Sequence, residues 1–425
     1  MNIKYDVVIV GGGTSGCACA YTCSKLGLKT LLVEKNNYLG GLMTGGLVVP
    51  VMKSSVEDIN CEYYKMLVKS AKESGAQITY KDGNDGWFNP EYLKIVLSKV
   101  LTSDNIRKNL NILFETEPIE VQNKDRILKT LTLSSHMLSI PIESRYFIDA
   151  TGLGKLCILS GCEFLTDNNI KQQNSLRFIL GNINTEKFCE FIKSINDNED
   201  ITNTYQNDVY TNNELHFTTA STWDNNKIWA LDKYLKIAVN DGVLFDSDRS
   251  YFQIFSVAGA PGQVAFNCPR LNNYSDNPYK ASIELTNGYA AIERLINFAK
   301  RYFPGFEKAT LVNISPITGV REERRIKSKY IYTKEDLLSG KTFKNAVLSA
   351  NYSIDIHSDK KDSSVLQKTA NYQLPIESLM SAGIDNLFAI GKLVGADFTS
   401  HSALRVQKSC MSMGEGVAKY IRNLI

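Results

Sequence analysis

The sequence predicts an α/β chain, a Rossmann-like domain in two parts with an α+β domain inserted between them. Three observations carry this. A buried strand, a glycine-rich turn and a helix open the chain in "YDVVIVGGGTSGCACAYTCSKLG" (5–27). Short apolar strands recur in "YFIDATGLG" (146–154) and "NLFAIGKL" (386–393), where a buried sheet needs them. Between them the composition shifts toward Asn and Asp, as in "NINTEKFCEFIKSINDNEDITNTYQNDVYTNNEL" (182–215), which suggests loops and exposed helices. A low-GC genome is the favoured explanation of the Asn content.

At 425 residues the chain has room for two or three domains and a large core. Its net charge of +3, with no long basic run, argues against nucleic acid as the main partner. No apolar run approaches the roughly 18 to 20 residues that a membrane span needs. The start, "MNIKYDVVIV", runs directly into a strand without a signal-like pattern, so the expected setting is cytoplasmic. Nine cysteines include no CxxC pair and read as reduced thiols. Cys17, Cys19 and Cys23 read as small packing residues, with a metal or redox role as the sharper alternative. No metal-ligand motif is present.

Taken in order, Tyr5–Val10 is a strand buried on both faces. Gly11, Gly13 and Gly16 form GxGxxG, serving in turn a tight turn, close approach to a pyrophosphate, and helix–strand packing. Thr14 and Ser15 begin a helix whose free N–H groups suit phosphates, and Gly27 closes it. "KTLLVE" is a second strand ending at Glu34, 18 residues past Gly16, followed by Lys35. A carboxylate there accepts ribose hydroxyls and repels a 2′-phosphate, which favours FAD or NAD over NADP.

FAD is the better choice. "LGGLMTGGL" (39–47) follows the acid almost at once, and Gly40, Gly41, Leu42, Thr44 and Gly45 would let backbone approach a long flat ligand. Ala150, Thr151 and Gly152 end a strand returning to the nucleotide, a signature typical of flavoproteins, and Gly391 ends another. No second GxGxxG of this quality exists, so a separate pyridine-nucleotide domain is not expected. The FAD-binding domain is placed at 1–165 plus 310–425, around a cap or substrate domain at 166–309. In the cap, "SYFQIFSV" and "QVAFNCP" read as strands and 278–302 as one long amphipathic helix. "DKKDSS" (359–364) reads as a solvated loop and a flexible lid.

These motifs resemble the bacterial FAD-dependent oxidoreductase family. "GGLMTGGLVVP" (40–50), "FNPEYLKIVLSKVL" (88–101), "FIDATGLGKL" (147–156), "FNCPRL" (266–271), "TGVREERRIKSKYIYTKED" (318–336), "IDIH" (354–357), "YQLPIESL" (372–379) and "HSALRVQKSCMSMGEGVA" (401–418) carry the resemblance, in order, over most of the chain. More distantly it is similar to succinate/fumarate-type and glutathione-reductase-type flavoproteins. The resemblance implies a glutathione-reductase-type FAD domain and hydride transfer between a small organic substrate and flavin N5. A flavin-dependent reductase of an activated C=C bond, fed by an external electron donor, is the second reading. A non-catalytic FAD-binding structural protein is the third. Two departures stand out: Leu153 and Lys155 replace acids that usually follow ATG, and Gly391-Lys392 replaces Gly-Arg.

Candidate chemistry lies toward the C-terminus. A helix expected from about 402 to 424 would aim its positive end at the flavin, with Ser402 and Leu404 as cofactor contacts. His401 and Arg405, four apart, would share a face, His401 as acid/base or flavin contact, or simply a structural histidine. Arg321, Arg324 and Arg325 suit a substrate carboxylate or cofactor phosphate, or pair with Glu322 and Glu323. Asp355 and His357 form a candidate orienting pair, and Arg270 could face the flavin across the cleft. No histidine accompanies the second glycine-rich stretch, so FAD is expected to be non-covalent.

Overall fold

The computed structural model describes residues 3–52, 54–79, 83–165, 171–195, 203–206, 215–220, 229–274, 277–358 and 365–425. Two sheets organise them. The first runs in the order Leu110–Leu113, Thr30–Val33, Ile3–Val10, Leu138–Asp149, Ile127–Ser135, Thr116–Lys124. Leu387–Ala389 pairs alongside Leu138–Asp149, in the same parallel sense as Ile3–Val10. Val10 pairs with both Val33 and Asp149, and Asp149 with Ala389, so four parallel strands end level. The turns after them therefore open at one sheet edge, where α/β folds bind ligands.

Alternation along Ile3–Val10 separates two cores. Val7 and Ile9 join the larger apolar cluster with the helices, while Val8 and Val10 pack into a second one. Helices Thr14–Lys25 and Gln407–Leu424 pack against each other within the larger cluster. They meet at small residues, among them Ser15, Cys19 and Gly414. A Cβ added to Gly414 would lie 2.2 Å from the Ser15 carbonyl oxygen, so glycine is what permits this close contact.

The second sheet is antiparallel, in the order Asn203–Gln206, Leu215–Ala220, Gln253–Ser256, Val264–Phe266, Phe178–Gly181, Thr310–Ile314. Its core is aromatic: Phe178 stacks on Phe266 at 4.4 Å, and Phe252, Phe298 and Phe303 meet edge to face beside them. Pro278–Tyr302 is one helix with the expected bounds, capped by Asn277 accepting from the Lys280 amide.

The fold is mixed α/β, a Rossmann-like core with an inserted α+β domain. Two expectations change. The boundary expected at 309/310 falls before a strand that still pairs into the inserted sheet, so the chain leaves that sheet after Ile314. The single helix expected from about 402 is two, Phe398–Leu404 and Gln407–Leu424, because Val406 takes an extended conformation between them. Residues 359–364, expected as a lid, lie outside the described residues. No helix among the described residues is long and apolar enough to cross a membrane.

Candidate functional site

Sterics set the turn after Val10. Gly11 sits at φ +108°, and a Cβ there would lie 2.5 Å from the Ala150 carbonyl oxygen. One on Gly16 would lie 1.8 Å from the Gly11 oxygen. Gly13 is different, since an added Cβ would meet only Gly41 Cα, at 4.0 Å. This cradle has space at its second glycine and none at its first and third. No side chain caps the helix that follows, and no acid occupies its first turn, which leaves its amides to an anion.

Glu34 is buried beside this turn. Its Oε2 accepts from the Gly12 amide at 2.7 Å, and its Oε1 from the Asn36 amide at 2.8 Å and Nδ2 at 2.6 Å. A carboxylate has about four acceptor positions and three are filled, so one remains for a ribose hydroxyl.

A cavity of about 670 Å³ runs from the cradle to residues of the inserted domain. Gly11, Gly13, Thr14, Ser15, Glu34, Lys35, Gly41, Leu42, Ala150, Thr151, Gly152 and Gly391 all line it. Gly16, Gly40, Thr44, Gly45, Ser402 and Leu404 are not in its wall. Gly40 backs the first loop, its amide donating to the Gly12 carbonyl at 2.8 Å. Thr44 Oγ1 donates to the Leu39 carbonyl at 2.5 Å, and a Cβ on Gly45 would meet the Tyr38 hydroxyl at 2.2 Å. Ser402 Oγ donates to the Thr399 carbonyl at 2.7 Å.

His401 is not brought to the cavity. It is fully buried, its Nε2 bonds the Lys392 carbonyl at 2.9 Å, and burial holds its pKa down at about 3. Arg405, at the helix break, does line the cavity. Its Nη2 donates to the Asp355 carbonyl at 2.9 Å and lies 3.6 Å from Asp355 Oδ2. His357 Nε2 is 3.2 Å from Asp355 Oδ1, and Tyr251 meets the His357 ring edge-on at 5.4 Å. Burial would raise the Asp355 carboxyl, but His357 and the Arg405 and Arg270 guanidiniums outweigh it and hold it below the usual range. Burial lowers His357 against the pull of Asp355, so the imidazole is neutral near pH 7. Asp355, His357, Tyr251 and Arg405 therefore form one group.

Arg321 and Arg324 also line the cavity, Arg321 Nη1 donating to the Gln173 carbonyl at 2.6 Å and Arg324 pairing with Glu323. Arg325 turns away to Glu322 at 2.9 Å and the Ala396 carbonyl at 2.7 Å. Sequence reading did not single out Arg177, Tyr251 or Tyr352, which line the cavity. Lys392 lines it too, donating to the Val320 carbonyl at 2.5 Å, with its pKa lowered by burial to about 8. Its one signal was the departure from Gly-Arg. Among the described residues no three His, Cys, Asp or Glu side chains gather to hold a metal.

The sequence profile described as FAD dependent oxidoreductase matches residues 6–421. The chain belongs to the FAD dependent oxidoreductase family. It is an enzyme that binds FAD non-covalently, and the open Gly13, the uncapped helix start and Glu34 fit the diphosphate and ribose of that cofactor. This oxidoreductase is similar to digeranylgeranylglycerophospholipid reductase 3 of Methanosphaera stadtmanae, 29% identical over 142 residues, 29% of this chain and 33% of that protein. It is also similar to mitochondrial glycerol-3-phosphate dehydrogenase of Rattus norvegicus, 32% identical over 77 residues, 16% of this chain and 10% of that protein. The chain thus spans about a third or less of those relatives' length. Among solved structures it is similar to a geranylgeranyl bacteriochlorophyll reductase-like protein of Thermoplasma acidophilum, at 12% identity and a TM-score of 0.47, covering 100% of this chain and 79% of that one.

Proposed function

We propose that this flavoprotein transfers hydride between a C–H bond of a small organic substrate and flavin N5, with the substrate held between the flavin and the inserted domain. One observation carries the reading. One cavity is lined both by the dinucleotide cradle and by Tyr251, Asp355, His357 and Arg405. FAD, when bound, supplies the two-electron chemistry. The chain supplies position and charge. The first turn of Thr14–Lys25 receives the diphosphate, and Glu34 takes a ribose hydroxyl. Val406 and Gln407, at the start of Gln407–Leu424, line the cavity and present that helix's positive end to it. Neutral His357, its ring oriented by Asp355, is the group suited to hold a substrate proton.

The purified protein is expected to be yellow, with one FAD per chain released by heat or acid. An anaerobic metabolite screen should then find a compound that bleaches the flavin. Pre-reduced protein, screened in parallel for reoxidation by activated C=C compounds, reports the opposite direction. A colourless chain that cannot be reconstituted with FAD ends this reading.

A further inference from the structure

Beyond the flavin chemistry, the inserted-domain end of the cavity holds more positive charge than the protein neutralises. Arg177 lines it, buried, with Nη1 donating to the Leu47 and Val49 carbonyls, both at 3.3 Å. Its Nε has no acceptor among the described residues. Arg270 stands behind that wall, its guanidinium 3.8 Å from the centre of the Tyr251 ring, with Nη1 reaching Asn267 Oδ1 at 3.4 Å. Its Nε and Nη2 are closed to solvent and also lack acceptors among the described residues. Arg405 contributes the third guanidinium, with Nε likewise unmet.

Against these three stands Asp355, already engaged by His357 at 3.2 Å and Arg405 at 3.6 Å. With His357 neutral the group carries three positive charges and one negative, a net +2. Burial lowers both Arg177 and Arg270, and each also feels a neighbouring guanidinium, Arg270 for the first and Arg405 for the second. Burying a guanidinium without a counter-charge is costly, so the arrangement is coherent only when an anion completes it. The FAD diphosphate has its own seat at the start of Thr14–Lys25.

Resting on the function proposed above, we infer that the substrate is a small dianionic oxyacid, a dicarboxylate or a phosphate monoester. Arg177 and Arg405 contact it, and Arg270 sets the field from behind Tyr251. Guanidinium forks match both anions. Tyr251, Gln253 and Asn267, also in the wall, offer further hydrogen-bonding groups to its oxygens.

The test is calorimetric titration of the FAD-loaded full chain with malonate, succinate and methyl phosphate. Propionate serves as the monoanion and dimethyl malonate as the neutral control. At least one dianion should bind tenfold or more tightly than propionate and perturb the visible flavin spectrum, and the diester should not bind. Preference for the dicarboxylates or for methyl phosphate decides between the two oxyacids. Arg270→Met should weaken dianion binding at least tenfold at unchanged FAD content, and Arg270→Lys less, since it keeps the charge. FAD-loaded protein that binds no dianion better than the diester overturns the inference alone, as does wild-type affinity in Arg270→Met. A chain that takes up no FAD overturns the reading beneath it, and this inference with it.

Discussion

The Glu34 carboxylate accepts the Gly12 amide at 2.7 Å, so one side chain joins the end of the second strand to the glycine turn. Because its other oxygen accepts from Asn36, this side chain both shapes the cradle and faces the cavity. Glu34→Gln keeps one acceptor, whereas Glu34→Arg offers only donors to a ring of donors. Each lost charge-assisted hydrogen bond costs about 1.5–3 kcal/mol, a tenfold or greater drop in affinity. FAD retention, read from the visible-to-ultraviolet absorbance ratio, should fall in Glu34→Gln and nearly vanish in Glu34→Arg. Equal retention in the two would show that Glu34 does not hold the ribose.

Gly414 offers a purely steric test. Its Cβ position is 2.2 Å from the Ser15 carbonyl, which cannot move without displacing the start of Thr14–Lys25. Gly414→Ala should cost about 1–3 kcal/mol, as overpacking does, and lower both melting temperature and FAD content. Gly75 has open space and φ +69°, a conformation Asn tolerates, so Gly75→Asn is the control expected to melt near wild type. Matching melting curves for the two variants would disprove the close helix contact.

The parts legible in the sequence are those that local rules determine. Tyr5–Val10 announced itself by a short apolar run, Pro278–Tyr302 by its amphipathic period, and Glu34 by its distance from the glycines. The C-terminal site failed locally. Arg405 and Val406 carry no helix-breaking signal, yet Val406 is extended and the helix stops just after Arg405, whose amide still donates to the His401 carbonyl at 3.1 Å. His401 stays inside, and Arg405 reaches Asp355, fifty residues away in sequence. Arg177 had no motif to betray it, because its partners Leu47 and Val49 lie some 130 residues earlier. Strand propensity likewise could not say which sheet Thr310–Ile314 joins, since that depends on a partner across the inserted domain.

Three buried histidines set the acid limit of stability. Burial lowers His401 to about 3 and His216 to about 4, and it also lowers His357. Each binds a proton more readily unfolded, near pH 6.5, than folded, so the stabilisation is complete above that value. It is lost as pH falls toward the folded value. For His401 at pH 5 the loss is about 2 kcal/mol. The melting temperature should drop from pH 7 to pH 5, and His401→Asn should show a smaller drop, whatever its absolute stability. A wild-type melting temperature unchanged over that interval would contradict the burial of these rings as neutral groups.

Asp355 and Arg405 make opposite predictions for the flavin. Both line the cavity, their charges offset each other at 3.6 Å, and His357 shares the carboxylate. Arg405→Met removes a positive charge and leaves Asp355 less balanced, which disfavours added electrons and should lower the potential of the bound flavin. Asp355→Asn removes the negative charge and should raise it. For a two-electron couple about 30 mV corresponds to 1.4 kcal/mol, so shifts of that order are expected, of opposite sign, at near wild-type FAD content. Breaking one side of a buried pair can itself cost about 3–5 kcal/mol, so melting curves must accompany each redox titration. A structural role alone would destabilise both variants and leave the potential where it was. Should both fold and keep the wild-type potential, the flavin does not sense this pair. The cavity's remaining arginines, Arg177, Arg321 and Arg324, would then be the groups to titrate next.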